Sequence, residues 1–461
     1  MSIRSNVRKY PRETAKPRLE SALQKGVALP SEPAFTRIPL DRGVTLHHRR
    51  SDRFKTELLR VFLRAPIDQN RTLRHLFAAL LTRGTSGSPT RRALSARLQG
   101  LYGAGYGAAA QRIAGRHVLA LRASTVAGRY LPGRPKNLKS LLGFLSEVLE
   151  GPAVESSGGV SVDVFEQERR NLLRDLAARF NNKGRYALDR LHEEMFAGHI
   201  LADPDVGTAA DVEAATPEAA MAEGMRVFSE GEADVYLLAP CTPGEAERLV
   251  RRHLKLGPRS KERFAPPSAP QARRRARRVS EQQDIEQGKL VMGFLFDDWS
   301  FGESPLTALL GDAILGSGAA SKLFRNVREK RSLCYDVRSW IDPVIGTLGI
   351  SAGIKPENYE AAVRAIRAEV RAMVAGRIDE AEVTSARRAI VSALRGVPDS
   401  QPGLVEFYYR RMLMKRRSSS LDAIIRSVER APIDPIPELF ERARLDTVFF
   451  LDKQEVADAT A

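Results

Sequence analysis

The most informative segment for the fold comprises residues 75–98, HLFAALLTRGTSGSPTRRALSARL, in which a helical apolar pattern, a Gly/Ser break and a second helical pattern follow one another. The same order returns at residues 306–330, LTALLGDAILGSGAASKLFRNVREK. Each stretch is followed by two strand-like segments around a glycine-containing turn, at residues 101–124 and 333–354. This recurrence indicates two copies of one folding unit.

The parallel between the two copies continues along the chain. An amphipathic helix comes next in each copy, at residues 135–151 in the first and 356–376 in the second. A helix, a break and a second helix follow, at residues 164–196 and 378–413. Each copy ends with a strand, at residues 232–240 and 446–452. We therefore predict the α+β class, with each copy a mainly antiparallel sheet that carries helices on one face.

The segment between the copies predicts the domain organisation. Residues 256–280 combine several prolines with an arginine run and have no apolar periodicity, which is typical of a solvated linker. A chain of 461 residues also exceeds what one hydrophobic core usually supports. We predict an N-terminal extension at 1–34, a first domain at 35–255, this linker, and a second domain at 281–461.

Composition narrows the possible functions. The net charge of +17 would suit an anionic partner, but the basic clusters lack the interleaved aromatic residues that bind single-stranded nucleic acid, so we do not expect nucleic acid. Cys241 and Cys334 lie far apart and form no metal-binding pair, which favours a reducing compartment. No apolar stretch approaches the roughly 18 residues that a membrane span needs. We therefore expect a cytoplasmic protein that binds no membrane.

The segment His75–Thr85 carries a family resemblance that extends over residues 35–455. It resembles the insulinase/pitrilysin-like (inverzincin) peptidases, in which His-x-x-Glu-His on a helix holds zinc and its Glu is the general base. The resemblance implies a repeated LuxS/metallohydrolase-like fold. Here His75 remains, while Ala78 and Ala79 stand where the base and the second ligand would be. The family's third ligand corresponds to Asp175, counted from Glu168.

These replacements predict a degenerate metal site at His75, Ala78, Ala79 and Asp175. One imidazole and one short carboxylate are too few for a zinc site, so we expect no metal or other cofactor in this chain and no peptidase activity from it alone. The other histidines, among them His117 and His192, are expected to be surface or hydrogen-bonded residues rather than ligands.

A second family motif is retained. The resembling segment at residues 321–340 contains Arg328 and, seven positions later, Tyr335. In the family this pair binds the substrate backbone and the developing oxyanion. Read without the family, Arg328 would form a local ion pair and Tyr335 would be an ordinary strand aromatic.

The resemblance also implies a partner. Some family members divide the metal motif and the Arg/Tyr pair between two chains. We therefore predict a heterodimer with a zinc-bearing paralogue and a peptide substrate in a shared chamber. Two alternatives stay open at this point: a purely structural homologue, and a basic protein that binds nucleic acid or ribosomes.

Overall fold

The computed structural model describes residues 34–155, 159–259, 267, 270–300, 305–416 and 418–453. The predicted N-terminal extension, apart from its last residue, and part of the predicted linker lie outside the described residues. Within the described ranges, the two halves of the chain form two separate mixed sheets covered by helices, and the predicted α+β class is confirmed.

The first half contributes six strands to the described structure. They are β1 (Thr36–Asp41), β2 (Val44–Arg50), β3 (Thr56–Ala65), β4 (Gly105–Ile113), β5 (Arg116–Val126) and β6 (Ala233–Ala239). Their order in the sheet is β1-β2-β6-β3-β5-β4. β2 and β6 run parallel, and the other neighbours run antiparallel.

The second half contributes five described strands. They are β7 (Arg277–Gln283), β8 (Gly288–Phe296), β9 (Cys334–Asp342), β10 (Thr347–Ile354) and β11 (Ala443–Lys453). Their order is β7-β11-β8-β10-β9, with β7 and β11 parallel. This order reproduces β2-β6-β3-β5-β4 of the first sheet, including the position of its parallel pair, so the repeat seen in the sequence is a repeat of topology.

The helices complete the two copies. Those of the first half are α1 (Arg71–Leu81), α2 (Arg91–Gly100), α3 (Asn137–Val148), α4 (Val162–Ala178), α5 (Lys183–Met195), α6 (Ala209–Ala214), α7 (Pro217–Glu230) and α8 (Pro243–His253). Those of the second half are α9 (Pro305–Leu315), α10 (Tyr359–Val374), α11 (Glu380–Gly396), α12 (Gln401–Leu413), α13 (Leu421–Glu429) and α14 (Pro435–Glu441).

Strand β3 shows how the sequence places the first core. Side chains alternate along a strand, so Leu59, Val61 and Leu63 face one side of the sheet and Leu58 and Phe62 face the other. The first three join the core beneath α1, α3, α7 and α8. Both faces are buried, which explains the almost continuous apolar run in this strand.

The opposite face of each sheet is covered by a helix from the other half of the chain. Tyr409 on α12 stacks on Phe62 with ring centroids 3.9 Å apart, in the cluster that covers the first sheet. In the same way, Leu191 on α5 packs on the second sheet. The side chain of Arg190 donates to Glu281 on β7 at 2.6 Å. The helices predicted for one face of each sheet are present, and an exchanged helix covers the other face.

Three arginines from the run in the predicted linker form ion pairs in the structure. β7 begins at Arg277, so the ordered sheet extends into the segment predicted as linker. Arg273 forms an ion pair with Asp446, Arg277 with Glu194 on α5, and Arg278 with Glu360 on α10. These arginines therefore connect the linker end to the second sheet and to α5. The domain boundaries themselves stay predictions.

No helix in the described part of the chain combines the length and the apolar character that crossing a bilayer requires.

Glu57 at the start of β3 provides a test of burial in this sheet. Its side chain is 7% exposed, and its Oε2 has no hydrogen-bond partner among the described residues. Burial raises the pKa of Glu57 from 4.5 to about 7, although Arg129 opposes the shift. The folded state therefore holds the proton more tightly than the unfolded state, and stability is lost as the pH rises from about 4.5 to about 7.

We expect Glu57→Gln, which cannot ionise, to escape this loss. Relative to the wild type, the variant should gain up to about 3 kcal/mol in free energy of unfolding between pH 5 and pH 8. Urea unfolding at the two pH values measures the difference. An equal pH dependence of the two proteins would show that Glu57 is not buried as described.

Candidate functional site

Helix α1 carries the segment that resembles the family's metal motif. Its apolar spacing buries Phe77 and Ala78 in the first core, where Ala78 is 2% exposed, and leaves Ala79 half-buried. A catalytic zinc site needs three protein ligands and an open position for water. The methyl groups of Ala78 and Ala79 supply neither a ligand nor a base, so these positions do not fit the family's zinc ion.

Asp175, the predicted counterpart of the third ligand, is exposed on α4. Glu168, which defined that alignment, is buried on the same helix and pairs with Arg83 at the end of α1. Among the described residues, the group that could hold a metal includes His75 but neither Glu168 nor Asp175. The structure thus places Asp175 apart from the one ligand of the motif that is retained.

His75 instead meets two residues from distant parts of the chain. His117 at the start of β5 and Asp205 in the loop before α6 lie beside it, and one donor atom from each residue comes within 4.8 Å of the others. The His75 Nε2 lies 3.9 Å from Asp205 Oδ2, and the His117 Nε2 lies 3.7 Å from Asp205 Oδ1. The prediction that His117 is a surface or hydrogen-bonded residue was wrong: it is buried, and neither ring nitrogen has a hydrogen-bond partner among the described residues.

The surroundings keep both imidazoles neutral. Burial lowers the pKa of His117 to about 2, with further lowering by His75 and nearby arginines. Burial also lowers the pKa of His75, although Asp205 opposes the shift. A neutral imidazole keeps a lone pair on one ring nitrogen, which is the form that binds metals.

Asp205 also lines the cavity between the two halves. This cavity has a volume of about 640 Å³ and is bordered by Arg112 and Asp205 from the first half and by Trp340, Asp342 and Arg410 from the second. His192 on α5 lines it as well, and burial lowers the pKa of His192 to about 4. The cavity thus contains several charged groups within a largely apolar lining, and Asp205 connects it to the histidine pair.

Arg328 lies in a π-helical turn, Phe324–Glu329, between α9 and β9. π-Helical turns are rare in proteins, and those that occur are often found at functional sites. The Arg328 side chain is exposed, and its guanidinium lies over the Phe324 ring at 4.4 Å. A cation–π contact orients the guanidinium without using its N–H donors, which remain for a ligand.

Tyr335 is the extra residue of a β-bulge on the edge strand β9. On the neighbouring strand β10, Ile354 pairs with Cys334 and Gly353 pairs with Asp336, so Tyr335 has no partner in the register. Its side chain is 55% exposed. Bulges re-aim a side chain and are over-represented beside active sites. Arg328 and Tyr335 thus both lie at backbone irregularities on consecutive elements, and their convergence on one ligand stays a prediction.

Comparison with known proteins identifies a family model, a relative and solved structures that are similar to this chain. Residues 226–390 match the family described as Peptidase M16 inactive domain. The chain is 28% identical over 422 residues to the probable inactive metalloprotease YmfF of Bacillus subtilis, covering 90% of this chain and 97% of the relative. It also resembles the structure of a conserved protein from Enterococcus faecalis, with a TM-score of 0.84, 25% identity, and coverage of 92% of this chain and 100% of the other. The structure of a peptidase M16 inactive domain from Pseudomonas fluorescens aligns with a TM-score of 0.73, 17% identity, and coverage of 92% and 98%.

The fold is M16-like. M16 is the family of the insulinase-like peptidases, so the fold that the sequence resemblance implied is confirmed. The matched segment 226–390 contains Arg328 and Tyr335 but not the segment around His75. Both the M16 inactive domain and the inactive relative from Bacillus subtilis support a peptidase-like protein that is not catalytic by itself.

Sequence reasoning missed His117 and Asp205. The only local signal was the Asp-Pro-Asp string at residues 203–205, in which Pro204 separates two carboxylates in a loop. Nothing in that string indicates that the loop lies against α1 and β5. The contact arises from tertiary packing between segments that the sequence pattern treats separately.

Proposed function

We propose that this chain is a degenerate member of the M16 family that acts as the subunit without the family's catalytic zinc ion in a two-chain peptidase-like complex. In this complex it supplies Arg328 and Tyr335 to a zinc-bearing paralogue. The observation that carries the proposal is Tyr335, an exposed phenol on a bulge of the edge strand that follows the turn holding Arg328. The alanines at positions 78 and 79 and the inactive relatives support the loss of that catalytic zinc ion.

The chemistry of the pair suits peptide processing. A guanidinium offers several N–H donors in a planar fork, and a phenol offers one O–H donor. When a nucleophile attacks a peptide carbonyl, its oxygen becomes negative, and donors fixed in advance stabilise that charge more than they stabilise the ground state. The cation–π contact with Phe324 and the bulge at Tyr335 support such positioning of the two donors.

Two exposed sheet edges suit an extended peptide in the proposed chamber. β4 and β9 are the corresponding edge strands of the two copies. An extended peptide can add to such an edge through main-chain hydrogen bonds. The net charge of +17 would favour acidic peptides, with an attraction that salt screens. We place the complex in the cytoplasm and expect it to bind neither membrane nor nucleic acid.

A closer assignment belongs to the same proposal. Residues 101–124, 180–196 and 328–337 resemble the bacterial protein named as the elongation factor P 5-aminopentanol modification-associated subunit. This assignment would place the complex beside translation-factor modification in bacteria.

Association with the paralogue is the first test. We expect the co-expressed chains to elute as a heterodimer in size-exclusion chromatography at micromolar concentration, because the Arg/Tyr pair and the metal motif are useful only together. Each chain alone, run at the same concentration, is the control, and this chain has a mass of 51.0 kDa. Elution of the mixture as two independent monomers would contradict the pairing.

A further inference from the structure

We propose that His75, His117 and Asp205 form a binding site for a divalent transition-metal ion such as Zn²⁺. The site is distinct from the family's metal motif, of which it retains only His75. It replaces the expectation, drawn from Ala78 and Ala79, that the chain holds no metal. The proposal does not depend on the proposed function, because it concerns residues other than Arg328 and Tyr335.

The first argument is the number of buried polar atoms that lack partners. His75 Nε2, both ring nitrogens of His117, and Asp205 Oδ1 are buried without a hydrogen-bond partner among the described residues. Buried polar atoms are nearly always paired, and leaving one unpaired is unfavourable. Here the four atoms belong to one cluster of three residues, which are contributed by α1, β5 and the loop before α6.

The second argument is geometry. In a tetrahedral zinc site with bonds of about 2.0–2.2 Å, neighbouring ligand atoms are separated by about 3.4 Å. The histidine nitrogens lie 3.9 and 3.7 Å from the two oxygens of Asp205. These two nitrogen–oxygen distances exceed that spacing by a few tenths of an ångström, and one donor atom from each of the three residues lies within 4.8 Å of the others.

The third argument is the chemical type of the ligands. Two imidazoles and one carboxylate suit borderline divalent ions such as zinc, iron or cobalt, whereas calcium and magnesium prefer oxygen ligands. One carboxylate offsets half the charge of a divalent ion. The backbone N–H of Arg112 donates to Asp205 Oδ2 at 2.8 Å and orients the carboxylate.

Nearby arginines set the limits of the site. Arg71 pairs with Asp203, and Arg74 donates to Glu223 at 2.6 Å, so their charges are largely offset. The guanidinium of Arg112 lies 3.7 Å from Asp205 and competes with a metal for that carboxylate. We therefore expect weaker binding than in a closed structural zinc site.

The position of the site indicates a structural role. The ion would connect α1, β5 and the loop before α6, at the border of the cavity between the halves. Within the described structure, the cluster contains no second carboxylate that could act as a general base beside a metal-bound water. Metal binding here is thus compatible with the prediction that the isolated chain has no peptidase activity.

The test uses the full chain without a histidine tag, stripped with chelator and dialysed against micromolar Zn²⁺. We expect about one zinc ion per chain by elemental analysis, a higher melting temperature with zinc, and visible absorption from bound Co²⁺. His117→Gln and Asp205→Asn should each weaken zinc binding by roughly 100-fold. This is the upper end of the roughly 10- to 100-fold loss of metal affinity that follows from changing a residue that only orients a ligand. His192→Gln, which alters a histidine of the same cavity outside the cluster, is the matched control and should bind as the wild type does.

Zinc-free melting curves of each variant establish that it is folded, and Asp205→Asn on a partly exposed loop carries the test if His117→Gln does not fold. Absence of stoichiometric zinc in the wild type would overturn the proposal. So would zinc binding that persists unchanged in folded His117→Gln or Asp205→Asn, because the ion would then lie elsewhere.

Discussion

Tyr409→Ala should destabilise the protein by about 3–5 kcal/mol, as expected for removing a fully buried aromatic ring. Tyr409 stacks on Phe62 of the first sheet at 3.9 Å, and its ring also meets Tyr236 edge-on at 5.8 Å. Because α12 belongs to the second half of the chain, this cost measures packing between the halves as well as within one of them. Urea unfolding followed by circular dichroism gives the midpoint and slope for each protein.

Tyr409→Phe is the matched control. The Tyr409 hydroxyl is buried without a hydrogen-bond partner among the described residues, so its removal should change stability by no more than about 1 kcal/mol. A double-mutant cycle with Phe62→Ala isolates the contact and should give a coupling of about 0.5–3 kcal/mol. A cost below about 1 kcal/mol for Tyr409→Ala, with no coupling to Phe62, would show that α12 does not cover the first sheet.

The repeated unit could be predicted from the sequence because local periodicity reports which face of an element is buried. The apolar runs in β3 and α1 belong to a pattern that is repeated in the second half, where a Gly/Ser break follows α9 as one follows α1. The two sheets accordingly have matching strand orders. The exchange of α5 and α12 between the halves was not predictable in this way. An amphipathic pattern shows that a helix has an apolar face, but it does not show which sheet that face covers.

The candidate sites could also be predicted only in part from the sequence. Ala78 and Ala79 could be interpreted from the sequence, since the loss of ligands is visible in the residues themselves. The spacing of Arg328 and Tyr335 was also visible, but the π-helical turn and the bulge were not, because both depend on backbone pairing with neighbouring elements. His117 and Asp205 reach His75 only through tertiary packing, so no local sequence motif predicts their cluster.

Tyr335→Phe should reduce turnover by the reconstituted complex by roughly 30- to 1,000-fold, which corresponds to about 2–4 kcal/mol of transition-state stabilisation. The substitution removes one O–H donor from an exposed side chain and leaves the ring in place. Folding and association with the paralogue should therefore be unchanged. Because a donor to the oxyanion acts mainly in the transition state, the loss should appear in kcat more than in KM. Arg328→Ala is a less specific probe, since it also removes the stacking contact with Phe324.

The most direct test of the proposed role is hydrolysis of a peptide mixture by the zinc-loaded paralogue assembled with wild-type chain or with Tyr335→Phe. Tyr130→Phe, which changes another exposed tyrosine in the first half, is the control. We predict activity with the wild-type chain and with Tyr130→Phe, the large loss in kcat with Tyr335→Phe, and no hydrolysis by this chain alone. Full activity of the assembled, zinc-loaded complex with Tyr335→Phe would contradict the account and show that the chain acts as a scaffold.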